Sequence, residues 1–374
     1  MAHRFTQMGH SENPDTAETI GFLLIPNFSM IAFSSAIEPL RLANHLSGKP
    51  LYDWVLLSRD GGSAHASNGI PVGVSHSIND APALPALVVC AGVEGHWYDD
   101  RQVLAWLRRV ASKGTALGAV CTASHILARA GLLDGYRCTV HWDSLASFTE
   151  NFPNLVATGE IFAVDRNRFT CAGGTAAADM MLHRIAARHG EDLAARISEQ
   201  MLHDKIRPAA MQQNAVIQQP LGVERQELQA AIRLMLATIE QPLDLLTLSR
   251  RLGQSRRNVE RLFRTYMNCS PGKYYLGLRL IRARQLLHQT SKTVQQVAVC
   301  CGFVSAAHFS RCYRDHYGVP PRSDQIASRY RMSAFAGTQA AAHTPVALAD
   351  EEAMTALAML ASVEEDLGEE REAW

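Results

Sequence analysis

Two rhythms of apolar residues divide this chain. Through the first two hundred positions, short apolar-rich segments at 20–25, 53–58, 87–90 and 116–120 predict strands. Segments of helical period lie among them, notably 99–113 and 122–130. This alternation predicts an α/β domain built on a parallel sheet covered on both faces. Residues 160–165 and 168–171, joined at Arg166 and Asn167, predict a hairpin. Beyond about position 240 the period lengthens. Val259, Leu262, Phe263 and Tyr266 recur at i, i+3, i+4 and i+7 and predict a helix with one buried face. Between the two regimes, 205–223 is rich in glutamine, carries Pro208 and Pro220, and reads as a linker.

The helical region is internally repeated. Leu248, Leu252, Gly253, Val259, Leu262, Phe263 and Pro271 are matched by Val297, Cys301, Gly302, Phe309, Cys312, Tyr313 and Pro321, the offset moving from 49 to 50 through one inserted residue. Each copy reads as a helix, a turn and a second helix, with Gly253 and Gly302 where the turn needs a residue free of a Cβ penalty. Ser255 and Ser305 stand as N-caps of the second helices. Arg256, Arg257, Arg261 and Arg264 are left outward on the first, and His308 and Arg311 belong to the second. One arginine-rich face reads equally well as solvated surface, but two in tandem point to DNA. Between them runs 271–287, where Tyr274, Leu278, Ile281 and Leu286 are expected to pack and Arg279, Arg282 and Arg284 add charge. A rigid helix of that length would hold two recognition helices roughly 34 Å apart, one turn of the duplex.

Charge is partitioned accordingly. The 374 residues carry 36 basic and 36 acidic side chains, yet residues 242–330 hold 15 Lys and Arg against 4 Asp and Glu. That local +11 is an electrostatic footprint for phosphates. Residues 331–374 hold 2 against 9 and read as a solvated acidic tail. The N-terminus is polar through Thr19, so no signal peptide is expected, and no apolar run reaches the ~20 residues of a spanning helix. Eight cysteines without paired metal-ligand spacing are expected to remain thiols in a reducing cytosol, and no metal or other cofactor is called for.

Pro271, Tyr275, the run LRLIRARQLL at 278–287, Cys301-Gly302-Phe303, Phe309-Ser310-Arg311 and the segment 318–321 resemble the AraC/XylS family of transcription regulators. The resemblance implies a cytoplasmic homodimer with an operator in double-stranded DNA and RNA polymerase as partners. It implies DNA contacts from Ser255, Arg256, Arg257, Arg261, Arg279, Arg282, Ser305, His308 and Arg311.

In the first domain, Val120-Cys121-Thr122-Ala123-Ser124 runs from a strand directly into a helix. A residue at such a junction sits on a sharp turn beside a helix N-terminus, which can lower a thiol's pKa and bind an anion. The segment 118–141, with Pro39-Leu40 before it and Gly173-Gly174-Thr175 after, looks like the PfpI-type, class I glutamine amidotransferase-like fold with Cys121 at the nucleophile elbow. The resemblance implies a flavodoxin-like, doubly wound sheet, followed here by an all-α domain with two helix-turn-helix motifs. Hydrolytic members carry a His after the elbow Cys and an acid near the first strand-helix connection; here Thr122 and Ser35 stand in those places. A thiol needs a base or a cation to act as a nucleophile, and His125 and His141 remain open for that role. A cysteine-dependent amidase tethered to DNA therefore stays as the alternative, and a constitutive DNA binder with a structural first domain as a third reading.

The two halves together are similar to the GlxA subgroup of regulators, in which the first domain senses rather than catalyses. Gly21 to Ile25, AIEPLRLAN at 36–44, 118–142, DRNRF at 165–169 and 173–182 bring the resemblance nearest to regulators of glycine betaine, carnitine and sarcosine catabolism. A betaine-like effector carries one carboxylate and one bulky cation. For the carboxylate, Cys121, Thr122, Ser124 and His125 at the helix start are the expected site. For the cation, the faces of Trp97 and Trp142 are expected, supplemented by Glu38. Each ring has simple packing as its alternative. The expected organisation is a disordered 1–18, a sensor domain at 19–204, the linker at 205–223, a DNA-binding domain at 224–328 and the tail at 329–374.

Overall fold

A computed structural model describes residues 17–213 and 223–328. The expectations for 1–16, for 214–222 and for the acidic tail from 329 lie outside the described residues. The chain divides into two compact units on either side of residues 216 and 217.

The first unit runs β1 (Glu18–Leu24), α1 (Met30–Ser47), β2 (Tyr52–Ser58), β3 (Ala64–His65), β4 (Pro71–Val72), β5 (His76–Ser77), β6 (Ala86–Cys90), α2 (Arg101–Ser112), β7 (Ala116–Val120), α3 (Ser124–Arg129), β8 (Arg137–Thr139), α4 (Trp142–Asn151), β9 (Val156–Thr158), β10 (Phe162–Asp165), β11 (Arg168–Cys171), α5 (Ala176–His189) and α6 (Glu191–Gln200). Seven strands make one sheet in the order β10-β11-β7-β6-β1-β2-β5. Every pairing is parallel except the β10–β11 hairpin, where Asp165 faces Arg168 as its turn residues predict. All of β6 and β7 is buried. Alternate residues serve opposite faces. Phe22, Leu24, Val88, Cys90 and Val120 pack with residues of α1, α5 and α6, while Leu23, Leu87, Val89, Leu117 and Ala119 pack with residues of α2 and α3.

Residues 206–213, read from composition as part of a linker, belong to the first unit. Ile206, Ala209 and Met211 pack on the first unit's core, and the Ile161 amide donates to the Met211 carbonyl at 2.8 Å. The Gln213 amide group donates to Thr139, Val140 and Glu160. These apolar residues follow neither period, because they fill gaps at an irregular edge rather than face one layer.

The second unit is helical: α7 (Val223–Ala237), α8 (Leu245–Arg251), α9 (Arg256–Met267), α10 (Pro271–Gln289), α11 (Val294–Cys300) and α12 (Ala306–Tyr317), with residues 321–328 helical as well. Its two cores are separate. Leu228, Ile232 and Met235 of α7 pack with Leu248, Val259, Leu262, Phe263 and Tyr275, and Leu280, Ala283, Leu286 and Leu287 pack with Val297, Phe303, Phe309 and Tyr313. At 19 residues, α10 spans roughly 28 Å and serves both. Its buried face shifts along its length for that reason. Tyr274 and Leu278 are half-buried and Leu286 is buried, but Ile281, expected to pack, is exposed.

Candidate functional site

Cys121 leaves β7 in a left-handed conformation, φ +63°, which for a non-glycine residue costs about 1–3 kcal/mol and persists only where its surroundings impose it. Three constraints meet there. The Cys121 carbonyl accepts a hydrogen bond from the His141 amide at 3.3 Å, Gly173 packs against the Cys121 side chain, and a tight turn (Cys121–Ala123) leads at once into α3. The thiol does not have the lowered pKa that the junction suggests. Burial pushes it up to about 11, opposed by a hydrogen bond from the Thr122 amide and helped by the charge of Asp143. With only six residues, α3 offers too weak a dipole to offset that desolvation.

The other residues expected to hold an anion are engaged in the fold. Thr122 donates its hydroxyl to the Gly92 carbonyl at 2.7 Å, tying the elbow to the loop after β6. Ser124, fully buried, donates to the Thr139 carbonyl at 2.6 Å. Both hydroxyl protons are therefore engaged within the fold. His125 is a core residue with no solvent exposure, packed edge-on against Phe148 at 4.9 Å. Burial first, then the charges of His96 and Arg129, hold its pKa well below the ordinary histidine value, which favours the neutral ring.

The cation candidates divide. Glu38 is bound by Arg41 on the surface of α1, with the Arg41 Nε donating at 2.8 Å. Trp97 closes the short turn Gly95–Trp97 after β6 and is half-buried, its ring 5.5 Å from that of His96. Trp142, 38% exposed, opens α4 and lies 5.4 Å from the His141 ring. His141 is the N-cap of that helix, its Nδ1 accepting from the Asp143 amide at 3.3 Å. Asp143, in the first turn, is close enough to Cys121 to disfavour its thiolate.

In the second unit Ser255 caps α9 by accepting from the Asn258 amide at 3.1 Å, and Ser305 caps α12 by accepting from the His308 amide at 3.2 Å. Gly302 has φ +71°, and a Cβ there would stand 2.6 Å from the Ile239 carbonyl, so glycine is required twice over. Arg256, Arg257, Arg261, Arg264, His308 and Arg311 are exposed, with the Arg261 guanidinium donating to Asn258 at 3.0 Å and His308 lying 3.4 Å from the Cys312 sulfur. Arg279 is half-buried. It donates to the Cys301 and Gly302 carbonyls at 2.8 and 2.9 Å and lies 4.0 Å over the Phe303 ring, closing the C-terminal end of α11. Arg282 is half-buried.

Two residues tied to Cys121 were not among the site candidates read from the sequence. Asp143 follows Trp142 directly, and an acid in the first turn after a His-Trp pair was the available signal. Gly173 belongs to a Gly-Gly pair directly beyond β11, where a close backbone approach was the available reading.

Residues 22–187 match the DJ-1/PfpI family, and residues 248–325 match a family described as Helix-turn-helix domain. The HTH-type transcriptional regulator GbdR of Pseudomonas aeruginosa is 48% identical over 308 residues, which cover 82% of this chain and 84% of that one. The HTH-type transcriptional regulator CdhR of the same species is 43% identical over 304 residues, 81% and 90% of the two chains. Among solved structures, an AraC family transcriptional regulator from Pseudomonas putida is similar at 30% identity and a TM-score of 0.46, over 49% of this chain and 99% of that one.

Proposed function

This chain belongs to the AraC-family HTH-type transcription regulators that carry a DJ-1/PfpI domain, and we propose that its first domain binds a small methylated or quaternary amine such as glycine betaine, carnitine or sarcosine. Occupancy of the crevice beside Cys121 would then control the catabolic genes for that amine. The observation that supports this reading is the first turn of α4, where a partly exposed indole, Trp142, precedes a carboxylate, Asp143, whose charge is felt at the Cys121 thiol. A ring face and an anion suit a methylated ammonium group. The effector's carboxylate is left to backbone N–H groups of the elbow, since the Thr122 and Ser124 hydroxyls are committed. The regulator acts in the cytoplasm as a homodimer and contacts RNA polymerase in this reading.

The same geometry speaks against the tethered amidase. A thiol raised to about 11 and a neutral, aromatic-packed His125 do not make a nucleophile and its base, and the His141 ring accepts the Asp143 amide at the cap of α4. Calorimetric titration with the three amines and with an uncharged isostere tests the proposal. Binding of at least one amine, accompanied by a raised melting temperature, is expected; the absence of both for all three amines would refute the effector class. Turnover of an amide panel that disappears in Cys121→Ala would instead restore the enzyme.

A further inference from the structure

The two helix-turn-helix copies differ most where a recognition helix meets base edges. After the cap Ser255, α9 begins with Arg256 and Arg257, both exposed. After the matching cap Ser305, α12 begins with Ala306 and Ala307, and the residue before the cap is Val304, fully exposed. Farther along, the copies agree again: Arg261 is matched by Arg311 and Arg264 by Arg314, all four exposed. Two outward arginines are thus kept on both helices, while the leading turn changes from guanidinium to methyl. The inserted residue that shifts the repeat offset from 49 to 50 falls in this same stretch, between Gly302 and Ser305. A lone exposed valine requires no explanation in itself. This one stands beside a helix cap where the N-terminal end of a recognition helix is read against the major groove.

We propose that the two helices read chemically different base pairs, α9 taking guanine edges through Arg256 and Arg257 and α12 taking thymine 5-methyl groups through Val304 and Ala307. Arginine donates to the O6 and N7 acceptors of guanine, whereas small apolar side chains discriminate thymine by contact with its methyl. One chain would then recognise a composite site, a guanine-bearing segment next to a thymine-bearing one. The proposal rests on the reading of this chain as a sequence-specific DNA-binding regulator, and it deepens that reading by assigning the chemistry of each half.

The test begins with duplexes selected from a random pool by the full-length protein. In the selected duplex each thymine is then replaced singly by deoxyuridine, which lacks only the methyl, and each guanine by 7-deazaguanine, which lacks the N7 acceptor. Deoxyuridine should weaken binding roughly three- to tenfold at one or two positions of one half, and 7-deazaguanine by at least as much in the other. Because Val304 makes no core contact, Val304→Ser leaves the fold intact, as circular dichroism will verify, and it should erase the deoxyuridine penalty while Arg257→Ala erases the 7-deazaguanine penalty. Deoxyuridine penalties that survive in both Val304→Ser and Ala307→Ser, or that are absent from the native protein, would overturn the proposal. A pool in which no sequence is enriched would overturn the regulator reading beneath it, a result distinct from either.

Discussion

Gly173 lies so close to Cys121 that a side-chain carbon added to it would stand 2.7 Å from the cysteine Cβ and 3.2 Å from its sulfur. Both residues have positive φ, +94° and +63°, so the turn after β11 and the elbow after β7 hold each other in place. Gly173→Ala should strain both at once and cost roughly 1–3 kcal/mol. The melting temperature of the first unit should fall and the affinity for the amine with it. An unchanged melting curve would show that the elbow relaxes without the glycine.

The thiol of Cys121 gives a pH prediction whose sign is set by burial. Its folded pKa, about 11, lies above the ordinary 9.0, so folding favours the neutral thiol. The associated stabilisation is fully present below pH 9 and is lost as pH rises through 11. Alkylation by iodoacetamide should accordingly titrate with a midpoint near 11 and run about a hundredfold slower at neutral pH than for an ordinary thiol. Asp143→Asn removes a nearby negative charge and should bring the midpoint down. A native midpoint below 9 would mean that the elbow activates the sulfur after all.

Trp142→Leu keeps apolar volume and removes the ring quadrupole. Affinity for a trimethylated amine should fall by about 1 kcal/mol or more, with little change for the uncharged isostere. Asp143→Asn should show the same selectivity. Equal losses for both ligands would reduce the indole to a space-filling role, and no loss in either variant would move the cation site elsewhere.

Arg279 and Arg257 should separate cleanly, although both are arginines in the basic segment. Arg279 joins α10 to the end of α11 through two carbonyls and a ring face, so Arg279→Ala should lower stability by roughly 1–3 kcal/mol. Arg257 is exposed and takes no part in either core. Arg257→Ala should leave melting unchanged and weaken operator binding by about 1–3 kcal/mol. Paired thermal melts and binding titrations decide it, and a destabilised Arg257→Ala with native operator affinity would reverse the two assignments.

What the sequence determined by itself is whatever depends on near neighbours. The strands at 87–90 and 116–120, the turn at Arg166-Asn167, the caps Ser255 and Ser305 and the outward arginines of α9 follow from spacings of two to four residues. The repeated helix-turn-helix was legible for the same reason, since each copy carries its own glycine, cap and buried stripe. Only the tertiary structure decided which polar groups are free to act. Thr122 finds its acceptor at Gly92, Ser124 at Thr139 and Arg279 at Cys301, while His125 packs against Phe148. Each partner lies 15 to 30 residues away along the chain. A hydroxyl proton can be donated only once, a guanidinium held between two carbonyls and a ring is fixed in place, and burial raises or lowers a pKa according to what surrounds the group in space. These are properties of contacts between distant segments, which no local pattern of residues contains.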